Sequence, residues 1–136
     1  MFEYNRKVQY YETDKMGVVH HSNYLRYFEE ARIEYMASCD LPYTKTESSG
    51  IIIPVTGYSV KFKRSARFGD ILNIISKVSV YNGIRLSVYY EVFREDDLLS
   101  TGTTEHTFLN RDFKVMRLQN NFPDYHKIFM TMLEDH

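Results

Sequence analysis

The sequence predicts an α+β fold in which one long helix lies on the inner face of an antiparallel sheet. Three observations support it. Apolar residues recur at helical spacing between Tyr24 and Cys39. From Tyr58 onward, apolar and polar residues alternate with the period of a strand that has one buried face. Asn82-Gly83 then separates two alternating runs, which is a strong signal for a β-hairpin.

The first third of the chain is predicted to form a short strand and the long helix. Val8 to Tyr11 favours a strand, and the helix begins at Ser22 or Asn23, since either residue can cap free backbone N–H groups. An Arg26–Glu30 pair is expected off the buried stripe, and residues 40–42 (Asp-Leu-Pro) end the helix. The stripe itself has steps of four and three: Tyr24, Phe28, Ala31, Tyr35 and Cys39.

The remaining elements are predicted to be a meander of about four strands and a small closing helix. Residues 43–53 form a short turn or helix and a loop. The first strand of the meander buries one face, made of Tyr58, Val60 and Phe62, and a turn at 67–70 follows. The next two strands bury Leu72, Ile74, Ser76, Val78 and Val80, then Ile84, Leu86, Val88, Tyr90 and Val92. After a turn at 95–97, the last strand covers 98–109 and the helix covers roughly 123–133.

Length and composition define the broad class of protein. The 136 residues, 43% hydrophobic and 26% charged, suit one globular domain, residues 1–136. A formal net charge of −1 lacks the basic excess of a nucleic-acid-binding protein. We expect no transmembrane segment, and the N-terminus lacks the apolar core of a signal peptide, which favours a cytoplasmic protein. The single cysteine, Cys39, cannot form an internal disulfide and fits a reducing compartment, as a small buried group.

The outer face of the sheet predicts self-association. It carries Lys61, Ser87, Tyr89, Glu91 and Phe93. The aromatic residues of this face are not expected to remain exposed to solvent. The chain has 12 Tyr and 9 Phe but no Trp, a composition compatible with subunit contacts and equally with strand propensity alone. We therefore expect association through the sheet, into at least a dimer.

The chemically distinctive groups lie between residues 9 and 36. Asp14 occupies a turn that contains Gly17, and His20-His21 stands at the start of the long helix, whose free N–H groups and positive dipole end favour anions. In an arbitrary chain such an aspartate is a turn or capping residue. A metal site on the two histidines and Asp14 is not expected, because adjacent histidines point apart and no further ligand has a suitable spacing. No cofactor is expected, and His106 is interpreted as structural.

One motif resembles a known enzyme family. The run Tyr-Tyr-Glu-Thr-Asp-x-x-Gly-Val-Val-x-His-x-Asn-Tyr at 10–24 is similar to the signature of the 4-hydroxybenzoyl-CoA thioesterase family. It is most like the short-chain acyl-CoA thioesterase branch found beside bacterial Tol-Pal genes. The similarity continues through 28–32 and 61–70. It implies the hot-dog fold, in which a sheet of about five strands wraps around one central helix and subunits join as a homodimer or homotetramer.

The resemblance also implies an activity and its residues. It places the essential acid at Asp14, as nucleophile or as general base, with both roles open. It places a tyrosine and a histidine of the site at Tyr10 and His21. The N–H of His21 or of its neighbour Ser22 would polarise the thioester carbonyl, and Gly17 and Val19 would contact the substrate. His20 stands where the branch has an aromatic residue.

Coenzyme A carries several phosphates, so its site should include cations. Lys61, Lys63 and Arg64, with Arg67, form the densest cluster, and a second lies at Arg111, Lys114 and Arg117. The expected reaction is hydrolysis of an acyl-CoA to free acid and CoA. The alternatives are hydrolysis of an acyl carrier protein thioester and a non-catalytic acyl-CoA-binding module. A hot-dog dehydratase is disfavoured, because its acid and histidine are spaced more closely than Asp14 and His21.

Overall fold

The computed structural model describes residues 1–135 and contains a five-stranded antiparallel sheet with one long helix across one face. The predicted α+β class is confirmed. The strands are β1 (Phe2–Lys7), β2 (Val55–Phe62), β3 (Ile71–Tyr81), β4 (Arg85–Arg94) and β5 (Asp97–Thr107). The helices are α1 (Ser22–Ser38), α2 (Tyr43–Ser48), α3 (Leu118–Asn121) and α4 (Pro123–Glu134). Within the sheet the strand order is β1-β3-β4-β5-β2.

The predicted first strand at 8–11 is wrong by several residues. β1 ends at Lys7 and pairs with β3, and Tyr10–Glu12 forms a single 3-10 turn. The turn forms because the backbone bonds back on itself, with the N–H of Glu12 donating to the carbonyl of Gln9 at 3.0 Å. The alternation of apolar and polar residues in this short segment does not distinguish a strand from a single 3-10 turn.

The predicted meander holds for β3, β4 and β5 but not for β2. β2 pairs with β5 at the far edge of the sheet, with Tyr58 opposite Thr104 and Phe62 opposite Ser100. Tyr58 and Phe62 do face the helix side, as buried Thr104 and Ser100 do, yet they are 61% and 54% exposed. The predicted buried face of β2 is therefore wrong for this chain alone. The reason is that the α1 backbone lies closest to β1 and β3 and leaves a seam along β2.

Helix α1 begins at Ser22 and buries the predicted stripe. Tyr24, Phe28, Ala31 and Tyr35 are buried, whereas Cys39, just after the helix, is only partly buried. Sequence reasoning missed four further buried residues of this helix: Asn23, Tyr27, Arg32 and Met36. The predicted Arg26–Glu30 pair is also wrong. Glu30 instead accepts hydrogen bonds from Arg6 Nε and Tyr4 Oη of β1, both at 2.8 Å.

A close approach between Phe28 and β5 seats α1 on the sheet. The Phe28 ring stacks on Tyr90 of β4, with ring centroids 4.3 Å apart. It also lies directly over Gly102 of β5, where a Cβ atom would overlap the ring and stand 3.1 Å from the Ser59 carbonyl oxygen. Glycine is needed here because any side chain would push the helix off the sheet.

The other predicted elements are largely as expected. The structure has a short helix at 43–48, turns at 67–70 and 95–96, the hairpin after β3, and α4 close to its predicted bounds. One register shift between Val78 and Val80 turns Val80 outward and Tyr81 inward, so the predicted burial of Val80 is wrong. Such a bulge inserts one residue and reverses the alternation beyond it. Within residues 1–135, no helix combines the length and the apolar character needed to cross a membrane.

Candidate active site

Asp14 opens a tight hairpin between the 3-10 turn and α1. The N–H of Asp14 donates to the Val18 carbonyl at 2.9 Å, and the N–H of Gly17 donates to the Asp14 carbonyl at 3.0 Å. Gly17 has φ +78°, a left-handed conformation that glycine adopts without strain. The Asp14 side chain accepts the Met16 N–H at Oδ1, at 2.9 Å. This geometry fixes a partly exposed carboxylate at the tip of the hairpin.

The buried carboxylate of Glu12 holds the base of this hairpin. Arg6 donates to it twice, at 3.1 and 2.7 Å, and Tyr27 of α1 donates its hydroxyl at 2.9 Å. The Gln9 N–H adds a fourth bond at 2.8 Å. Burial and the bond to Glu12 raise the pKa of Tyr27 well above its ordinary value, so the phenol remains a donor. β1, the 3-10 turn and α1 are thereby joined at one point.

The backbone carbonyl of Glu12 positions the start of α1. It accepts the N–H of His20 and the side-chain amide of buried Asn23, both at 2.9 Å. The motif residues Glu12 and Asn23, eleven positions apart, therefore act on the same joint. Their role is to set the distance between the Asp14 hairpin and the first turn of the helix.

The amides at the helix start are nearly all occupied. Besides the His20 N–H, the Ser22 N–H donates to His20 Nδ1 at 3.2 Å. The N–H groups of Asn23 and Tyr24 donate to the carbonyls of His20 and His21, at 3.0 and 3.2 Å. Across residues 1–135, the His21 N–H has no acceptor. It is the one amide of this turn that remains available to a ligand.

The N-cap residue of α1 is His21, which makes no side-chain cap bond, so the predicted cap by Ser22 or Asn23 is wrong. The His20 ring takes over part of this task, because its Nδ1 accepts the Ser22 N–H at 3.2 Å and lies 2.8 Å from Ser22 Oγ. The ring centroids of His20 and His21 lie 4.1 Å apart, and both side chains are exposed. With His20 bonded to Ser22, His21 is the histidine that lines the adjacent groove.

A groove of about 340 Å³ brings together five of the nine predicted site residues. These are Asp14, Val19, His21, Lys63 and Arg64. Gly17, Ser22 and Lys61 do not line it, and neither does Tyr10, which is 75% exposed and packs edge-on against Phe68 at 5.6 Å. Tyr10 lies apart because the 3-10 turn directs it away from the hairpin tip.

Two aromatic residues of the groove were not predicted as site residues. Tyr24 and Phe62 line it, with ring centroids 5.0 Å apart in an edge-to-face contact. Both were assigned to buried faces, and Tyr24 closes the recognised motif. The signal was therefore present for Tyr24, whereas the position of Phe62 depends on β2 lying at the sheet edge.

Other polar groups lie elsewhere. None of Arg111, Lys114 and Arg117 lines the Asp14 groove, and Arg111 donates to the Ser48 carbonyl at 2.9 Å. In the part of the chain that the structure describes, no three His, Cys, Asp or Glu side chains converge as metal ligands would.

The sequence profile of the thioesterase-like superfamily matches residues 8–124. The chain belongs to this superfamily. A solved DHNA-CoA thioesterase from Staphylococcus aureus superposes with a TM-score of 0.91 and 36% identity, covering 95% of this chain and 88% of that one. The predicted hot-dog fold is confirmed by this match.

Curated relatives of this superfamily member carry hydrolase names. A 1,4-dihydroxy-2-naphthoyl-CoA hydrolase of Crocosphaera subtropica is 31% identical over 112 residues, covering 79% of this chain and 81% of the relative. The acyl-CoA thioesterase YbgC of Haemophilus influenzae is 29% identical over 105 residues, covering 76% and 77%. The superfamily match at residues 8–124 includes every segment that lines the Asp14 groove.

A second, buried polar cluster lies under α1. Arg32 donates to the hydroxyl of Tyr90 at 3.1 Å, Tyr90 contacts Thr104 Oγ1 at 2.8 Å, and His106 Nε2 contacts the same Thr104 oxygen at 2.8 Å. Burial, and then the charge of Arg32, lower the pKa of His106 from 6.5 to about 4. His106 is therefore neutral near pH 7, consistent with its predicted structural role.

This cluster predicts an acid-dependent loss of stability. Above pH 6.5 His106 is neutral in both states, but between pH 6.5 and 4 only the unfolded chain binds the proton, so unfolding becomes easier. His106→Gln should remove up to about 3 kcal/mol of the fall in unfolding free energy across this range. Urea titrations at pH 7 and pH 4.5 measure it, with exposed His20→Gln as the control. A variant that loses as much stability as the wild type would contradict the assignment.

Proposed function

We propose that this chain hydrolyses acyl-CoA thioesters at the Asp14 groove. One observation carries the proposal: the Asp14 carboxylate and His21, whose N–H lacks an acceptor within residues 1–135, line the same groove. The hydrolase names of similar proteins support the reaction class. A thioester carbonyl is electrophilic and its thiolate leaves readily, so an acid and one oxyanion donor supply the groups that the reaction needs.

Asp14 has two available roles in this reaction. As a nucleophile, its carboxylate oxygen bonds to the carbonyl carbon, the C–S bond breaks, CoA leaves as thiolate, and water hydrolyses the resulting mixed anhydride. As a general base, Asp14 takes a proton from water while the water oxygen attacks the carbonyl carbon and CoA leaves. Both routes yield the free acid and CoA. The bond from the Met16 N–H to Oδ1 holds the carboxyl group in place while Oδ2 faces no donor among residues 1–135.

The oxyanion donor in this proposal is the His21 N–H. Ser22, its neighbour, gives its N–H to His20 and is therefore engaged. The His21 amide also stands at the positive end of the α1 dipole, which favours developing negative charge. Removal of a single donor of this kind typically costs about 2.7–4 kcal/mol of barrier. Tyr10 has no part in the proposed mechanism because its ring lies on Phe68, outside the groove.

Lys63 and Arg64 are proposed to bind the phosphates of CoA. Both are exposed and line the groove, where a phosphate can reach them, and the 3.7 Å contact of Arg64 with exposed Asp97 is a loose surface pair. An acyl carrier protein would present a protein surface instead of a nucleotide, and comparison of kcat/KM for the same acyl group on CoA and on the carrier separates the two substrates. A mere acyl-binding module would release no thiol from either.

Two acyl classes are candidates. The motif resembles the Tol-Pal-associated branch, which implies short aliphatic acyl groups. The 36% identity to the S. aureus DHNA-CoA thioesterase favours an aromatic acyl group instead. Hydrolysis rates on butanoyl-CoA and 1,4-dihydroxy-2-naphthoyl-CoA decide between them.

We further propose that two copies pair along β2. This strand has one free edge, and Tyr58 and Phe62 present exposed aromatic surface beside it. An unpaired edge with exposed apolar side chains is a site for pairing with another strand. The groove of each copy would then lie at the subunit boundary.

Asp14→Asn should fold normally and lose at least about 10²-fold in kcat, because an amide is neither a nucleophile nor a base here. The asparagine oxygen can still accept the Met16 N–H, so the hairpin geometry is preserved. Free thiol release from acyl-CoA gives the rate, and Asp112→Asn, remote and exposed, is the matched control. Wild-type turnover in Asp14→Asn would rule out the proposed role.

Neutralising Lys63 and Arg64 together to Met should raise KM for acyl-CoA by about tenfold or more with little change in kcat, since binding rather than chemistry is weakened. The control is Lys114→Met with Arg117→Met, which removes two charges away from the groove. An unchanged KM in the first double variant would exclude that cluster from the CoA site.

Tyr58→Lys should weaken self-association by at least about tenfold, because two like charges would face each other across the paired edges. Sedimentation equilibrium over a range of protein concentrations measures the dimer dissociation constant. Val115→Lys, an equally exposed apolar-to-lysine change away from β2, serves as control. A wild-type protein that sediments as a monomer would contradict the pairing.

A further inference from the structure

Arg32 is a buried cation without a carboxylate partner. It lies on α1, is only 7% exposed, and makes one hydrogen bond, from Nη1 to the Tyr90 hydroxyl at 3.1 Å. It forms no ion pair with any acidic group of residues 1–135. The guanidinium carries five N–H donors and no acceptor, so most of its hydrogen-bonding capacity remains unused.

The surroundings of Arg32 do not compensate its charge. Tyr90 and Thr104 are neutral, and His106 is held neutral partly by the Arg32 charge itself. A buried charge is normally paired, because its removal from water is costly. A purely structural role could be filled by an apolar side chain of similar size, so the retained charge points to an anionic or acceptor group that arrives from outside.

Arg32 lines a cavity of about 380 Å³ between α1 and β2. Leu25, Val55 and Tyr58 give it apolar surface, and Arg26, Thr56 and Thr104 add polar groups to its wall. Glu29 borders the same cavity but is exposed and makes no salt bridge with Arg32. The space is large enough for a medium-sized acyl group.

This cavity and the Asp14 groove lie between the same two elements of the fold. Both are bordered by α1 and β2, the groove by Tyr24 and Phe62 and the cavity by Leu25 and Tyr58. Arg32 lies eleven residues after His21, or about 16 Å along the helix axis. Helical side chains lean toward the N-terminus, which brings the guanidinium nearer to His21 than that. The distance from a thioester at His21 to the Arg32 guanidinium matches the length of an acyl group with eight carbons or two fused rings.

We infer that Arg32 determines acyl specificity, by binding an acceptor oxygen at the end of the acyl group far from the thioester. The recognised chemistry is an anionic carboxylate or a ring hydroxyl, since both accept hydrogen bonds from a guanidinium. This inference rests on the proposed thioesterase function and names the substrate class of that site. Arg32 is a binding residue here and takes no part in the chemical step.

Two matched pairs of substrates test the inference. The aliphatic pair is octanedioyl-CoA (the mono-CoA ester) and octanoyl-CoA, and the aromatic pair is 6-hydroxy-2-naphthoyl-CoA and 2-naphthoyl-CoA. Wild type should prefer the oxygen-bearing member of at least one pair by about tenfold or more in kcat/KM. The pair that shows the preference identifies whether the oxygen is carboxylate or hydroxyl.

Arg32→Met should bring the ratio of kcat/KM between the two members of that pair to within about threefold of unity, because the acceptor oxygen loses its donor. Methionine keeps the apolar stem and volume, and Tyr90 retains its bond to Thr104. Arg32→Lys should retain part of the preference. Arg85→Met, an exposed arginine on β4 outside both cavities, should behave as wild type.

Other outcomes overturn the inference. If Arg32→Met lowers kcat/KM equally for both members of each pair and also weakens self-association, Arg32 pairs with a carboxylate of a second copy. No preference in wild type, or a preference unchanged by Arg32→Met, would also contradict it. If Arg32→Met does not fold, inhibition of the wild type by the two free acids of the preferred pair decides, and equal inhibition by them overturns the inference.

The same measurements separate the two proposals. Suppose that wild type hydrolyses these esters, that Asp14→Asn does not, and that wild type shows no preference for the oxygen-bearing members. The proposed function then stands, and only the role of Arg32 is contradicted. Absence of hydrolysis by wild type of all four esters, and of butanoyl-CoA and 1,4-dihydroxy-2-naphthoyl-CoA as well, defeats both.

Discussion

Glu12 joins three parts of the fold through two chemically different groups. Its buried carboxylate binds Arg6 of β1 and Tyr27 of α1, and its backbone carbonyl binds His20 and Asn23 at the helix start. The 3-10 turn that contains Glu12 leads directly into the Asp14 hairpin. Removal of one partner from a buried ion pair leaves an uncompensated charge, at a cost of about 3–5 kcal/mol. The position of Asp14 relative to the His21 amide therefore depends on this joint.

The second constraint is the place of β2 at the edge of the sheet. α1 lies closest to β1 and β3, and its seating through Phe28 on Gly102 fixes how far it extends over β5. The inner side of β2 is consequently left open. The Asp14 groove and the Arg32 cavity both lie in that seam, so the packing of one helix creates the site for the reacting group and the space beside it.

The division between motif and seam explains how relatives can share chemistry and differ in acyl group. The hairpin, the helix start and their Glu12 joint are local, and they are built from residues of the recognised motif. The seam is lined by side chains from α1 and β2, which are distant in sequence. Arg32 and Phe62 lie within segments of family similarity, whereas Val55 and Tyr58 lie outside them. Similar proteins are named for a dihydroxynaphthoyl substrate and for acyl-CoA in general. Specificity is a property of such lining residues rather than of the fold.

The sequence by itself determined the α+β class, α1 with its buried stripe, the hairpins, the Asp14 turn and the thioesterase-like superfamily, because each depends on local periodicity or a contiguous motif. It could not place β2 beside β5, since strand order depends on long-range pairing. For the same reason it took Tyr58 and Phe62 as core, and it gave no sign of the role of Arg32. Tertiary structure alone decided which helix-start amide is free, because the Glu12 carbonyl accepts the His20 N–H and the His20 ring accepts the Ser22 N–H. Hydrogen-bond partners depend on the three-dimensional positions of the groups, and the spacing of residues along the chain does not specify those positions.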